Sequence, residues 1–370
     1  MSSVYRIACG SQRSPGAAPQ RRAGRKYSKG SEPYHYSPIL SVKKGVIRPL
    51  WSVMIPTYNC AVYLRQTLAS VLAQDPGANT MQIEVVDDCS TLDDPAKIVE
   101  ELGTGRVEFY RQPKNQGYIG NFDTCLQLSR GHLIHLLHGD DYVREGFYNL
   151  LQQGFEASPK IGAAFCRTIY VDEEGHWHSI SPLEQSKSGV LSGWLPKIAA
   201  GQRVCTPSVV VRRDVYEELG GFDRRLSCAG EDWEMWVRVA TRYPVWFEVE
   251  PLAAYRMKRP SSLTASSVST GALARDMRKA TEIVESYLPN YLPPAAAREV
   301  SSKARRMYAQ WALEVVQQMP VKGNFGSFIA QIKEVLRCSH SPETVCCLFF
   351  RVLQRAAAAL PLKAAKSVQR

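Results

Sequence analysis

The chain contains no GxxxxGK[ST] loop, and no GxGxxG follows its first strand-like segment. The first absence removes the usual phosphate cradle of P-loop enzymes, and the second argues against dinucleotide redox chemistry. None of the ten cysteines forms a C-x-x-C pair. Scattered thiols of this kind fit free cysteines in a reducing cytoplasm better than a disulfide framework. Cys338, His340, Cys346 and Cys347 crowd together, but their spacing matches no zinc pattern. No window reaches about 18 consecutive apolar residues, so no membrane-spanning helix is expected. The first thirty residues lack an apolar core segment, so no secretory signal is expected either.

The net charge of +11 is unevenly distributed. Residues 1–49 carry ten Lys/Arg and one Glu, and residues 265–370 carry fifteen Lys/Arg and seven Asp/Glu. That leaves the middle, 50–264, at −6, from 21 basic and 27 acidic residues. An acidic body between basic ends suits either solvated tails or contact with an anionic surface, such as the inner face of a membrane. No aromatic–basic interleaving of an RNA-binding type is present, so nucleic acid is not an expected partner. The apolar stretch from Cys346 to Leu362, with Arg351 and Arg355 interleaved, reads as a packed C-terminal helix or one lying on a membrane surface.

Residues 1–49 are rich in Ser, Gly, Pro and Arg and read as a disordered basic tail. Trp51–Ile55 reads as a strand closed by Pro56, and 60–74 has helical apolar spacing at Val62, Leu64, Leu68, Val71 and Leu72. Strands are expected at 83–86, 107–110 and 132–137, with helices from Asp93 or Asp94 through Leu102 and over 119–129. This alternation implies right-handed crossovers and a mostly parallel sheet, with ligands at the carboxyl ends of its strands. Three polar clusters follow strands: Pro56-Thr57-Tyr58-Asn59, Asp87-Asp88-Cys89-Ser90-Thr91 and His138-Gly139-Asp140-Asp141. They would share one rim. Adjacent carboxylates repel unless water or a cation intervenes, so converging acids favour a hard divalent cation, Mg²⁺ or Mn²⁺. Farther on, Glu231-Asp232 precede a helical pattern beginning at Trp233. Carboxylates there either cap the helix or serve as a general base.

With these segments in view, the chain resembles the family 2 glycosyltransferases over about residues 50–262. Val53–Asn59 resembles their opening strand and loop, and Val85–Thr91 their VDDGST segment, with Cys89 in place of Gly. Asn115-Gln116-Gly117 with Asn121, Gly131–Asp141, Gly221-Phe222-Asp223 and Glu231-Asp232-Trp233 follow in the family's order. The resemblance implies a GT-A fold, an α/β Rossmann-like sheet with flanking helices. It spans 50–264, preceded by the tail and followed by a helical basic region, 265–370.

By the same resemblance, Pro56, Thr57, Tyr58 and Asp88 would hold the nucleotide, together with Asn115, Gly117 and Asn121. Asp140 and Asp141 would serve the ribose and the metal, in either assignment. Asp232 would be the base, with Glu231 and Trp233 on the acceptor side. Two residues depart from the family: His138 stands where many members have an Asp, and Lys258 where many have a His. Lys carries no lone pair when charged, so the metal would be weakly bound, and Lys258 or Arg259 would contact the diphosphate directly instead. The Q-x-x-R-W pattern of processive members is absent. The expected activity is therefore one inverting transfer per encounter, from a nucleotide sugar to a glycan or lipid-linked acceptor. Two other readings compete with it. One is a degenerate GT-A module that binds without catalysis. The other is a sugar-phosphate nucleotidyltransferase, which would need a Gly-rich loop where Pro-Thr-Tyr-Asn stands.

Overall fold

The computed structural model describes residues 35–257, 267, 272–318 and 325–359. The chain divides into two compact units, Met1–His35 and Tyr36–Arg370, and of the first only His35 is described.

In the second unit β1 (Trp51–Thr57) and β2 (Met81–Asp87) are buried along their whole length. Continuous burial is the signature of parallel strands covered on both faces. They are followed by α1 (Ala61–Leu72) and α2 (Pro95–Gly103), and Pro95 occupies the first turn, where its missing N–H costs nothing. Then come β3 (Glu108–Arg111), α3 (Gly117–Leu128), β4 (Leu133–Leu136), β5 (Tyr142–Val143) and α4 (Phe147–Ala157). The later part holds β6 (Ala163–Val171), β7 (Trp177–Ile180), β8 (Gly189–Val190), α5 (Trp194–Ala199), β9 (Val209–Arg212), α6 (Arg213–Leu219), α7 (Glu231–Ala240) and β10 (Val245–Arg256). Four helices complete the described chain: α8 (Ala272–Tyr287), α9 (Pro294–Gln318), α10 (Phe325–Cys338) and α11 (Pro342–Ala359).

The sheet runs β3-β2-β1-β4-β9-β6-β10-β5. Strands β3, β2, β1, β4, β6 and β10 point the same way, and β9 is inserted antiparallel between β4 and β6. Gly131 lets the chain pass close to β1: a Cβ there would stand 2.6 Å from the backbone at Ser52 and Trp51. One face of the sheet packs on α1, α2 and α4 through Val53, Ile55, Leu64 and Leu68. The other face, with Met54, Val86 and Ile134, packs on α3, α5 and α7, and that core continues into α8 and α9 through Ala280, Val284, Tyr308 and Leu313.

The expected disorder over 1–49 lies outside the described residues up to 34. From Tyr36 it is corrected. Ile39 is buried, Arg213 donates to the Leu40 carbonyl at 2.8 Å, and the Arg238 guanidinium sits 3.9 Å over the Tyr36 ring. These anchors come from distant elements, so local composition carried no sign of them.

Among the described residues, no helix is long and apolar enough to cross a membrane. Cys338 is buried, whereas Cys346 and Cys347 are exposed, and the described residues of that stretch form no metal-ligand cluster.

Candidate active site

Strands β1, β2, β4 and β10 end at one edge of the sheet. Because β9 runs the other way, the loop preceding it, with Gln202 and Cys205, reaches that same edge. The polar clusters converge there.

Neighbouring Asp87 and Asp88 have different surroundings. The Asp87 carboxylate is fully buried, ion-paired with Arg111 at 2.7 Å and bonded by Ser90. Asp88 donates its N–H to Thr57 O, while its carboxylate accepts the Gln116 N–H at 2.7 Å at the entrance to α3. Burial pushes its pKa up, against the pull of those helix amides. Asn115 bonds the Asp88 carbonyl and the Gly117 N–H, and Gly117 has φ +75°. Asn121 does not open toward the rim. It is 2 % exposed and its amide donates to Val86 O at 2.8 Å, which ties α3 to β2. The Pro56 carbonyl accepts the Gly139 N–H, and Thr57 Oγ1 lies 2.9 Å from Cys60 Sγ. Tyr58 is 47 % exposed, with its ring available for stacking. Cys89 adopts φ +62°, the left-handed region that the Gly of the VDDGST pattern tolerates and that costs other residues about 1–2 kcal/mol.

His138, Asp140 and Asp141 each offer a ligand atom, all within 4.8 Å of one another. Asp141 is buried, with Oδ1 accepting the Arg256 N–H at 2.9 Å and Oδ2 3.6 Å from His138 Nδ1. Arg256 also bonds the Asp140, Asp172 and Glu173 carbonyls, and so fastens this loop to the end of β10. The His138 ring stacks on Phe122 of α3, centroids 5.1 Å apart. Two carboxylates and one imidazole on a rigid mount fit a divalent cation, and the nitrogen suits Mn²⁺ better than Mg²⁺. The sequence reading left His138 out of the ligand set, and the geometry brings it in. Lys258 lies outside the described residues. A second, more exposed group, Asp172, Glu174 and His176, occupies the β6–β7 turn.

Gly230, at φ +83°, turns the chain into α7, whose first turn carries Glu231 and Asp232. Tyr118 Oη donates to Glu231 at 3.0 Å, Gln202 Nε2 to Asp232 Oδ2 at 2.6 Å, and the Trp233 N–H to Asp232 Oδ1 at 2.7 Å. Burial raises both carboxyl pKa values, and the Asp232 charge raises that of Glu231 further. Trp233 is corrected. Its side chain is fully buried, its Nε1–H donates to Ile198 O at 2.7 Å and its ring meets Tyr308 edge-on, so it belongs to the core rather than to an acceptor surface.

Two further groups link the clusters. Tyr255 is pushed well above its usual pKa, first by burial and then by the Asp141, Asp140 and Asp232 carboxylates, with Cys205 also contributing. Cys205 is pushed up to about 12, mainly by burial, with Asp232 and Asp141 adding to it. Carboxylates from the loop after β4 and from the start of α7 contribute to both shifts. Tyr255 opens the segment that leads to Lys258, whereas Gln202, Tyr118 and Cys205 carried no motif of their own. Only the antiparallel insertion of β9 and the packing of α3 bring them in. A cavity of about 310 Å³ lies instead beside the amino ends of β1 and β4, lined by Arg48, His132, Arg212 and Asp214 among others.

Comparison with known proteins gives this geometry a family. Residues 52–220 match the model of glycosyl transferase family 2. An uncharacterized protein of Mycobacterium tuberculosis is 27 % identical over 270 residues, covering 68 % of this chain and 81 % of its own. The crystal structure of Staphylococcus aureus TarS 1–349 in complex with UDP-GlcNAc superposes with TM-score 0.58 at 16 % identity, over 78 % of this chain and 89 % of that one. The mannosyltransferase PcManGT from Pyrobaculum calidifontis, in complex with GDP-Man and Mn²⁺, gives 0.51 at 14 % identity, over 88 % and 90 %. The chain thus carries a glycosyl transferase family 2 domain over residues 52–220, on the GT-A fold of these solved structures.

Proposed function

We propose that the chain transfers one sugar from a nucleoside diphosphate donor to an acceptor hydroxyl, with inversion at the anomeric carbon. The observation that carries this reading is geometric: the ligand atoms of His138, Asp140 and Asp141 lie within 4.8 Å of one another after β4, at the sheet edge that also receives the loop before β9, whose Gln202 bonds Asp232. Tyr58 would stack on the nucleotide base, beside Pro56 and Thr57, and Asp88 would receive a polar edge of the nucleoside near Asn115 and Gly117. His138, Asp140 and Asp141 would hold Mn²⁺ or Mg²⁺. A divalent cation there supplies charge neutralisation for a departing diphosphate. Asp232 takes the proton of the acceptor O–H, the oxygen forms its bond to the anomeric carbon, and the bond to the diphosphate breaks with its electron pair leaving on the diphosphate. Burial raises the Asp232 pKa, which makes it a stronger base than a surface aspartate.

The donors bound by the two structural neighbours, UDP-GlcNAc and GDP-Man, define the first panel to test. The acceptor class is a glycan or a lipid-linked precursor. The exposed Val345, Phe349, Phe350 and Leu353 on α11, together with the basic termini, support contact with an anionic membrane face.

Asp232→Asn tests the base. Nucleoside diphosphate release should fall about 10²–10⁴-fold, while the donor-induced thermal shift in Mn²⁺ persists. Release near the wild-type rate would remove Asp232 from this role.

A further inference from the structure

We propose that Gln202 is a positioning residue for Asp232, and that Tyr308 makes the C-terminal helices part of the catalytic support. The proposal rests on the reading of Asp232 as the base.

Both Asp232 oxygens are held: Oδ1 by the Trp233 N–H at 2.7 Å and Oδ2 by Gln202 Nε2 at 2.6 Å. An ionised carboxylate only accepts hydrogen bonds, so the amide must present its NH₂ end. That choice leaves Gln202 Oε1 buried with no hydrogen-bond partner among the described residues. A buried, unmade acceptor costs about 1–3 kcal/mol. The orientation is retained despite that cost, which identifies the contact to Asp232 as what the position serves.

Tyr308 of α9 braces both donors. Its hydroxyl accepts the Gln202 N–H at 3.1 Å, and its ring packs edge-on against Trp233, centroids 5.0 Å apart. On the other flank, α8 holds the loop that leads into α7. Asp276, fully buried, accepts the N–H groups of Ser227 and Cys228 at 2.5 and 2.9 Å. A Cβ on Gly230 would meet Ala280 of the same helix at 2.8 Å. The helices after residue 272 therefore fix the base from two sides.

The titratable groups facing Asp232 are Glu231 on its own turn, Tyr118 from α3, Tyr255 from β10 and Cys205 from the loop before β9. The last three are all raised, which leaves Glu231 as the neighbour that titrates together with Asp232. The experiment is a carboxyl-carbon NMR titration of ¹³Cγ-aspartate-labelled full-length protein in a Glu231→Gln background, with the Asp232 signal assigned by its loss in Asp232→Asn. Losing one hydrogen bond to the charged form should move the midpoint upward by about one pH unit in Gln202→Leu, and by less in Tyr308→Phe. Gln202→Glu keeps the volume but adds a like charge, and should move it further. Turnover of Gln202→Leu should fall about tenfold at unchanged donor KM, read as UDP release from UDP-GlcNAc or GDP release from GDP-mannose. Unchanged midpoints in all three variants overturn the proposal, even if Asp232→Asn is inactive. An active Asp232→Asn overturns the base reading instead, whatever the midpoints do.

Discussion

Both ends of the sheet gather charged side chains, and the two ends neutralise them differently. At the amino ends, Arg48 donates to the Arg130 and Gly131 carbonyls, and Arg212 pairs with Asp214 at 3.0 Å. There Arg212 meets an opposite charge directly, while Arg48 is held by carbonyl oxygens. At the carboxyl ends, Glu231 and Asp232 take their hydrogen bonds from a phenol, a backbone N–H and an amide, all neutral. Their pKa values rise accordingly. Carboxylates buried against neutral donors hold an electrostatic demand that a substrate proton or a cation can meet, and perturbed groups of this kind concentrate at functional sites. The contrast matters because the cavity of about 310 Å³ lies at the end away from these carboxylates.

The comparison can be broken in several places. The largest expected effect is structural. Trp233→Ala should lower the unfolding free energy by about 3–5 kcal/mol in denaturant titration, as for other buried aromatics. A stable variant with only an altered acceptor KM would return Trp233 to the acceptor surface. Next, Asp140→Ala should weaken the Mn²⁺-dependent thermal shift given by UDP about tenfold in apparent affinity, about 1.4 kcal/mol, while Asp172→Ala on the β6–β7 turn should not. Equal losses in both would transfer the cation to the second cluster.

A smaller effect concerns pH. Glu231 has a raised folded-state pKa, so the folded protein binds its proton more tightly than the unfolded chain does. Its cost to stability is absent below the ordinary Glu value of about 4.3. It grows as pH rises from there and is complete above the folded-state pKa. Glu231→Gln should therefore raise Tm by about 2–4 °C per kcal/mol regained at high pH, with little change near pH 4. The same gain at both pH values would contradict the burial account. The smallest effect is expected at the other end of the sheet. His132→Ala, in the amino-end cavity, should leave turnover and the UDP thermal shift unchanged, and a loss of donor binding would reverse the assignment of the two ends.

Much of the carboxyl-end rim was legible in the sequence because it is made of short polar runs directly after buried strands. Trp51–Ile55 and Ile83–Val86 are mostly apolar and read as strands, inside the observed Trp51–Thr57 and Met81–Asp87, and Pro95 marked its helix start. Residues whose neighbours come from far along the chain were not legible. Trp233 has the helical spacing of either a core or a surface aromatic, and only the Ile198 carbonyl and Tyr308 decide between them. Asn121 resembled a ligand-binding amide, yet Val86 takes its N–H. The tail from Tyr36 has the composition of a disordered segment and is held by Arg213 and Arg238. Gln202 became visible only once β9 was seen to run antiparallel.

The most direct test is a crystal of the full chain grown with UDP and Mn²⁺, with data collected for manganese anomalous scattering. The account predicts a manganese peak among His138, Asp140 and Asp141, with the uracil against Tyr58 and the diphosphate on the side facing Asp232. A nucleotide seated among Arg48, His132 and Arg212, with no manganese at Asp140, would contradict it.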